Sequence, residues 1–202
     1  MNHYSIEKQN IENFIFEGNM LELSNCNIFS IKRINCKELI FHNCILEKYI
    51  SEIIEEYIFS DVIIFEEMNI RNFHTKKCIT KKLIIDNVRG ILCIPYIENI
   101  KISNSQYFHL KTKTEKLDIY NSLVRISDSI KVISLYNAKI TNFRKIMMID
   151  TSVEINLLIL IQCYIERLSG LGSIDTLFFS KCRIAKNAYI QKSFEKISNK
   201  YF

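Results

Sequence analysis

The 202-residue chain has only 3 Ala, 4 Gly and 1 Pro, and it has no Trp. Each scarcity excludes something. With Ala, the best helix former, nearly absent, a mostly helical bundle is disfavoured. Four glycines leave little room for a phosphate-cradling loop, which needs several at close spacing. The longest apolar run, Leu157 to Ile161, is far short of the roughly 20 residues that span a bilayer, so no membrane segment is expected. No Asn begins an N-x-Ser/Thr acceptor and no two cysteines form a C-x-x-C pair. The N-terminal residues lack a basic stretch leading into an apolar one, so no secretory signal is expected. What the chain does have is 38 Ile, 20 Lys and 19 Asn, together 77 of its 202 residues. Ile suits a pleated, half-buried strand, and at 48% hydrophobic the chain is too apolar to be disordered. The net charge of +5 is only mildly basic. The seven cysteines are odd in number and scattered, which suits reduced thiols in an intracellular, cytoplasmic protein.

An internal repeat organises the sequence. L21-E-L-S-N-C-N-I28 and L39-I-F-H-N-C-I-L46 share apolar residues at the first, third and eighth places, Asn at the fifth and Cys at the sixth. The same eight-place frame fits Ile63 to Ile70, Leu83 to Gly90, Ile100 to Tyr107, Leu117 to Val124, Ile133 to Ile140, Leu158 to Ile165 and Leu177 to Ile184, nine copies in all. Successive starts lie 16 to 25 residues apart, the length of one solenoid coil. The first and third places alternate with less regular residues, as in a short strand with one buried face. Each unit would expose its apolar residues if alone, so stacking must bury them.

The frame resembles the leucine-rich repeat family, whose core pattern L-x-x-L-x-L-x-x-N/C-x-L it matches from the second Leu onward, with Cys26, Cys44, Cys163 and Cys182 in the N/C place. The family's first Leu is often missing, with Gly18, Ser60, Thr80 and Thr114 standing there, and coils of 16 to 17 residues leave no room for a convex helix. The resemblance implies a single β-dominated solenoid: a right-handed coil of about nine short repeats with a parallel sheet over residues 18–187, capped by 1–17 and 188–202. A parallel β-helix is the alternative. In one of the long coils, EKYISEIIEEYIF (47–59) has apolar residues at helical spacing and predicts a helical turn or two.

The candidate site follows from the outward second and fourth places. A fully solvated sheet would be polar there. Instead the second place carries Ile40, Ile64, Ile84, Ile159 and Phe178, and the fourth carries Tyr120, Tyr136 and Ile161. Contiguous exposed apolar and aromatic groups mark a contact surface. Lysines gather in the returns, at Lys76, Lys77, Lys81 and Lys82 and at Lys111, Lys113 and Lys116, and could follow a phosphate track.

Catalytic and metal readings are weaker. His3, His42, His74 and His109 carry no catalytic motif, and Glu66, Glu67 and Asp86 on adjacent coils read as a solvated or ion-paired surface. Cys36, His42 and Cys44, and the His74–Cys78 pair, lie close enough in sequence to suggest a metal, but most of the cysteines fall at the inward sixth place. The expectation is therefore a non-enzymatic scaffold without metal, cofactor or small-molecule substrate, binding a protein through the sheet face. The alternative is an RNA-contacting, ribosome- or ribonucleoprotein-associated protein.

Overall fold

The computed structural model describes residues 3–46, 53–74, 76–105, 108–110, 112–122, 124–126, 130–136, 139–140, 147–149, 155–162, 164–168, 174–190 and 194–199. They form a parallel β-solenoid, with about six stacked turns over residues 20–122. The main sheet has 12 strands. Eleven run in chain order from His3–Glu7 through Met20–Ser24, Ile31–His42, Ile54–Glu66, Cys78–Asp86, Tyr96–Ser103, Lys113–Tyr120, Ile130–Tyr136, Ile155–Ile161 and Ile174–Ser180 to Phe194–Asn199, and the twelfth, Phe14–Glu17, pairs with the start of Ile31–His42. Every pairing is parallel. The returns are extended and pair among themselves in smaller parallel ladders, such as Asn69–His74, Arg89–Cys93 and Phe108–Leu110.

The frame explains the fold place by place. First- and third-place residues point inward: Leu21 and Leu23, Leu39 and Phe41, Ile63 and Phe65, Leu83 and Ile85, Ile100 and Ile102, and Leu117 and Ile119 are all buried. Phe41 and Phe65 stack at 5.2 Å. Each such side chain contributes about 1.5–3 kcal/mol relative to exposure, gained only when coils stack.

The fifth place is a corner. Asn25, Asn43, Glu67, Asn87, Asn104, Asn121, Gln162 and Lys181 all have left-handed φ, between 45° and 55°. Asn tolerates that conformation better than other side chains, and Gly is too scarce to supply it. Six of these corner N–H groups, those of Asn25, Asn43, Glu67, Asn87, Asn104 and Gln162, donate to the fourth-place carbonyl of the next coil, as in Asn25 N to His42 O at 2.9 Å, Asn43 N to Glu66 O at 2.9 Å and Asn87 N to Ser103 O at 3.0 Å. The amides also meet, Asn43 Nδ2 donating to Asn25 Oδ1 at 2.7 Å. The Asn row is thus a set of left-handed turns whose side chains stack.

At the sixth place, small thiols and hydroxyls turn in and donate to the carbonyl two residues back: Cys26 Sγ to Ser24 O at 3.3 Å, Ser105 Oγ to Ser103 O at 2.8 Å and Ser122 Oγ to Tyr120 O at 2.7 Å. A second buried corner precedes the frame. Ser60 and Thr80 donate to Val62 O at 2.8 Å and Lys82 O at 3.0 Å, and Thr114 to Lys116 O at 3.2 Å. These are the positions where the sequence lacks the leucine-rich family's first Leu; the polar residues there satisfy the bend's carbonyls.

The helical expectation meets a different geometry over part of its segment. Residues 54–59 lie in the strand Ile54–Glu66, whereas Ile53 just before it is helical; residues 47–52 lie outside the described residues. Ile58 and Phe59 pair with Ile34 and Asn35 on one side and Cys78 and Ile79 on the other, so two flanking ladders override the local helical spacing. At the N-terminus, Tyr4 to Ile11 is a further copy of the frame. Tyr4 and Ile6 pair with Leu21 and Leu23, and Lys8 takes the left-handed corner at φ 54°. The first segment therefore continues the ladder with the same geometry.

Candidate protein-binding face

The register aligns the outward places into three rows along the sheet. The second-place row reads Glu22, Ile40, Ile64, Ile84, Lys101, Asp118, Ser134, Ile159, Phe178, each a pairing partner of the next. The fourth-place row reads Ser24, His42, Glu66, Asp86, Ser103, Tyr120, Tyr136, Ile161, Ser180 by the same pairings. One residue before the first place, a leading row of Met20, Glu38, Val62, Lys82, Asn99 and Lys116 shares this face. Ile40, Ile64, Ile84, Tyr120, Ile159, Ile161 and Phe178 are all partly buried; of Tyr136 only the backbone is described. All eight candidates share one sheet, with polar residues at Lys101, Asp118 and Ser134 between the two apolar groups.

Charge is arranged across these rows. Glu38 and Lys82 lie in the leading row, and His42, Glu66 and Asp86 in the fourth. His42 Nδ1 lies 3.4 Å from Glu66 Oε2, and its Nε2 lies 3.9 Å from Glu67 Oε2. Asp86 Oδ1 accepts from Ser103 Oγ at 2.7 Å and Asn104 Nδ2 at 2.9 Å. Ser24, His42 and Glu66 are successive register partners, but the Ser24 hydroxyl donates to Glu22 Oε1 at 2.9 Å, away from the imidazole. A serine bonded that way is not activated by a base.

The lysines scatter. Lys76, Lys77, Lys81, Lys82, Lys113 and Lys116 are exposed, and Lys111 lies outside the described residues. Lys77 Nζ donates to the Ile54 and Glu55 carbonyls, both at 2.8 Å, which ties it to the preceding coil. Lys81 pairs with Asp61 at 2.9 Å, and that carboxylate holds its ammonium above the usual lysine range. Lys116 pairs with Asp118 at 3.1 Å. Lys82 and Lys116 do converge, with Asn99, Lys101 and Asp118, around a shallow depression of about 320 Å³ on the same face. Lys101, a lysine missing from the sequence-based set, lies over the Tyr120 ring at 5.2 Å.

Another exposed stripe escaped the sequence reading. Tyr57, Phe59, Ile79 and Tyr96 are 39%, 44%, 57% and 51% exposed on the strand segments that precede the frame. Phe59, Ile79 and Tyr96 line a depression of about 220 Å³ beside Asp61, Lys81 and Glu98. The detectable signal was the period-2 alternation of Tyr57, Phe59 with buried Ile58, Ser60, hidden under the helical spacing of 47–59.

Four of the described cysteines are fully buried. Cys26, Cys36, Cys44 and Cys78 are buried and Cys93 and Cys182 partly buried, none of these six in a disulfide. Cys36 faces Ser60 at 3.7 Å, whereas His42 faces outward, so Cys36, His42 and Cys44 do not converge. Burial pushes the Cys44 thiol up to about 11 and Cys78 up to about 12, and raises Cys36. Among the described residues no group of three or more His, Cys, Asp or Glu is placed to hold a metal ion, and no helix is long and apolar enough to cross a membrane.

The class that fold and face define is a parallel β-solenoid. No known protein family, curated protein or solved structure matches the chain.

Proposed function

We propose that the chain is a non-enzymatic binding scaffold that recognises a protein through the outward face of its main sheet, with each copy of the frame forming one short coil. The observation that carries this is the register itself: Ile40, Ile64 and Ile84 form one uninterrupted apolar row, and Ile159, Ile161 and Phe178 a second cluster on the same face. An apolar strip rimmed by charge is the composition of an interface, and a stacked solenoid loses little freedom on binding. The likeness to leucine-rich repeats is confined to the inward apolar residues and the N/C place. The extended, laddered returns favour β-helix-like coils. A photo-crosslinker placed at position 84 or 159 should capture a protein, while one at Arg33 should not; capture at neither face position removes this reading.

The RNA reading rests on the cluster of Lys82, Lys101 and Lys116 around Asn99. It ranks second because Lys77, Lys81 and Lys116 already have partners in the fold. It predicts bound nucleic acid that is released steeply with salt.

A further inference from the structure

We propose that the protein bound by this face is a second copy of the same chain, packed face to face about a two-fold axis running along the Ile40, Ile64, Ile84 row. This rests on the reading above and names its partner.

An isologous interface requires a self-complementary patch. A two-fold axis in the interface plane, parallel to the solenoid axis, keeps each coil opposite its own equivalent and reverses strand direction. The second-place row then lies on the axis and meets itself, so the three isoleucines of one copy pack on those of the other, while Glu22, Lys101 and Asp118 each approach their own equivalent, with Lys101 and Asp118 adjacent in register so that each can turn to the other across the axis. The leading row of one copy faces the fourth-place row of the other.

That exchange matches charge at one pair of positions: Lys82 meets Asp86 of the second copy, a contact that occurs twice by symmetry. Within one chain Lys82 and Asp86 are four residues apart on one strand, about 13 Å, too far to pair. Among the described residues neither has an oppositely charged partner within ion-pair distance; Asp86 is held by Ser103 and Asn104, which fix its carboxylate without neutralising it. The same exchange sets Lys116 against Tyr120, a contact already made within the chain by Lys101 over that ring at 5.2 Å.

The size approaches that of a standard interface. Nine strands at about 4.8 Å, each showing about 15 Å of width, give roughly 600 Å² of flat area per copy before side-chain relief is counted. A standard interface buries about 800 Å² per partner.

The test is sedimentation equilibrium of the full chain from 1 to 100 µM, with circular dichroism to verify that each variant folds. The wild type should dimerise, and Lys82→Glu and Asp86→Lys should each weaken the dimer about tenfold or more. Mixing the two variants should restore association as a heterodimer, because positions 82 and 86 then carry opposite charges across both symmetry-related contacts. The variant with both reversals in one chain should dimerise alone for the same reason. A monomeric wild type at 100 µM, or a dimer indifferent to both reversals, overturns the proposal. If the chain is monomeric while a crosslinker at position 84 captures a different protein, the self-pairing fails and the scaffold reading stands. If neither association occurs, both fail.

Discussion

Gly90 lies against Ile70 so closely that a Cβ added to it would sit 1.6 Å from the Ile70 carbonyl oxygen. Its φ of 129° belongs to a region that side chains rarely adopt. The eighth place is otherwise apolar, so this glycine marks where two returns approach backbone to backbone and the register between Gly90 and Leu92 shifts. Gly90→Ala should therefore destabilise the fold by at least about 3 kcal/mol, through strain and overpacking together. Chemical denaturation would read this as a lowered midpoint.

Glu67 holds the same left-handed corner as its Asn neighbours, with φ 53°. The Glu67 carboxylate makes only a long approach to His42, at 3.9 Å, whereas Asn or Gly at this corner relieves backbone strain. Glu67→Asn should stabilise by about 0.5–1 kcal/mol, and Asn87→Ala should cost a similar amount, both measured by thermal unfolding.

Thr80 is buried, and its hydroxyl lies 3.3 Å from the Asp61 carbonyl and 3.0 Å from the Lys82 carbonyl. Thr80→Val keeps the volume and leaves both oxygens without that donor, costing about 1–3 kcal/mol. A neutral outcome in denaturant titration would show that the hydroxyl corner does not hold the bend.

Burial raises Cys44 to about 11 and Cys78 to about 12 from an ordinary 9.0. In the unfolded chain these thiols lose protons near pH 9, while in the fold they keep them. Their contribution is therefore fully present below pH 9 and lost above it, at about 1.4 kcal/mol per pH unit for each thiol up to its folded pKa. Thermal midpoints should fall between pH 9 and 11, and Cys78→Ala should flatten the fall relative to its own value at pH 7.

Much of this architecture was legible in the sequence because a parallel ladder repeats its side-chain places. Leu21, Leu39 and Ile63 are in register in space because they are in register in the text. The outward rows were legible for the same reason. The corner chemistry was not, since an Asn row reads in the sequence as stacked amides or a polar strip, and the left-handed turn it makes is visible only in φ. The Tyr4 copy was hidden because Lys8 and Gln9 replace the Asn and Cys that define the frame. The strand Ile54–Glu66 was misread because local periodicity carries no information about the ladders on either side. Which lysines are committed to carbonyls or carboxylates depends on contacts between coils, so Lys77 and Lys82 look alike in one dimension and differ in three.

The central claim is that the outward sheet face, rather than the exposed Tyr57, Phe59, Ile79 and Tyr96 stripe, is the contact surface. Site-specific photo-crosslinking from positions 84 and 59 of the full chain, compared side by side in its native cell, tests it most directly. Protein adducts from position 84 and none from position 59 are the predicted result. Adducts from position 59 with none from position 84 would contradict it.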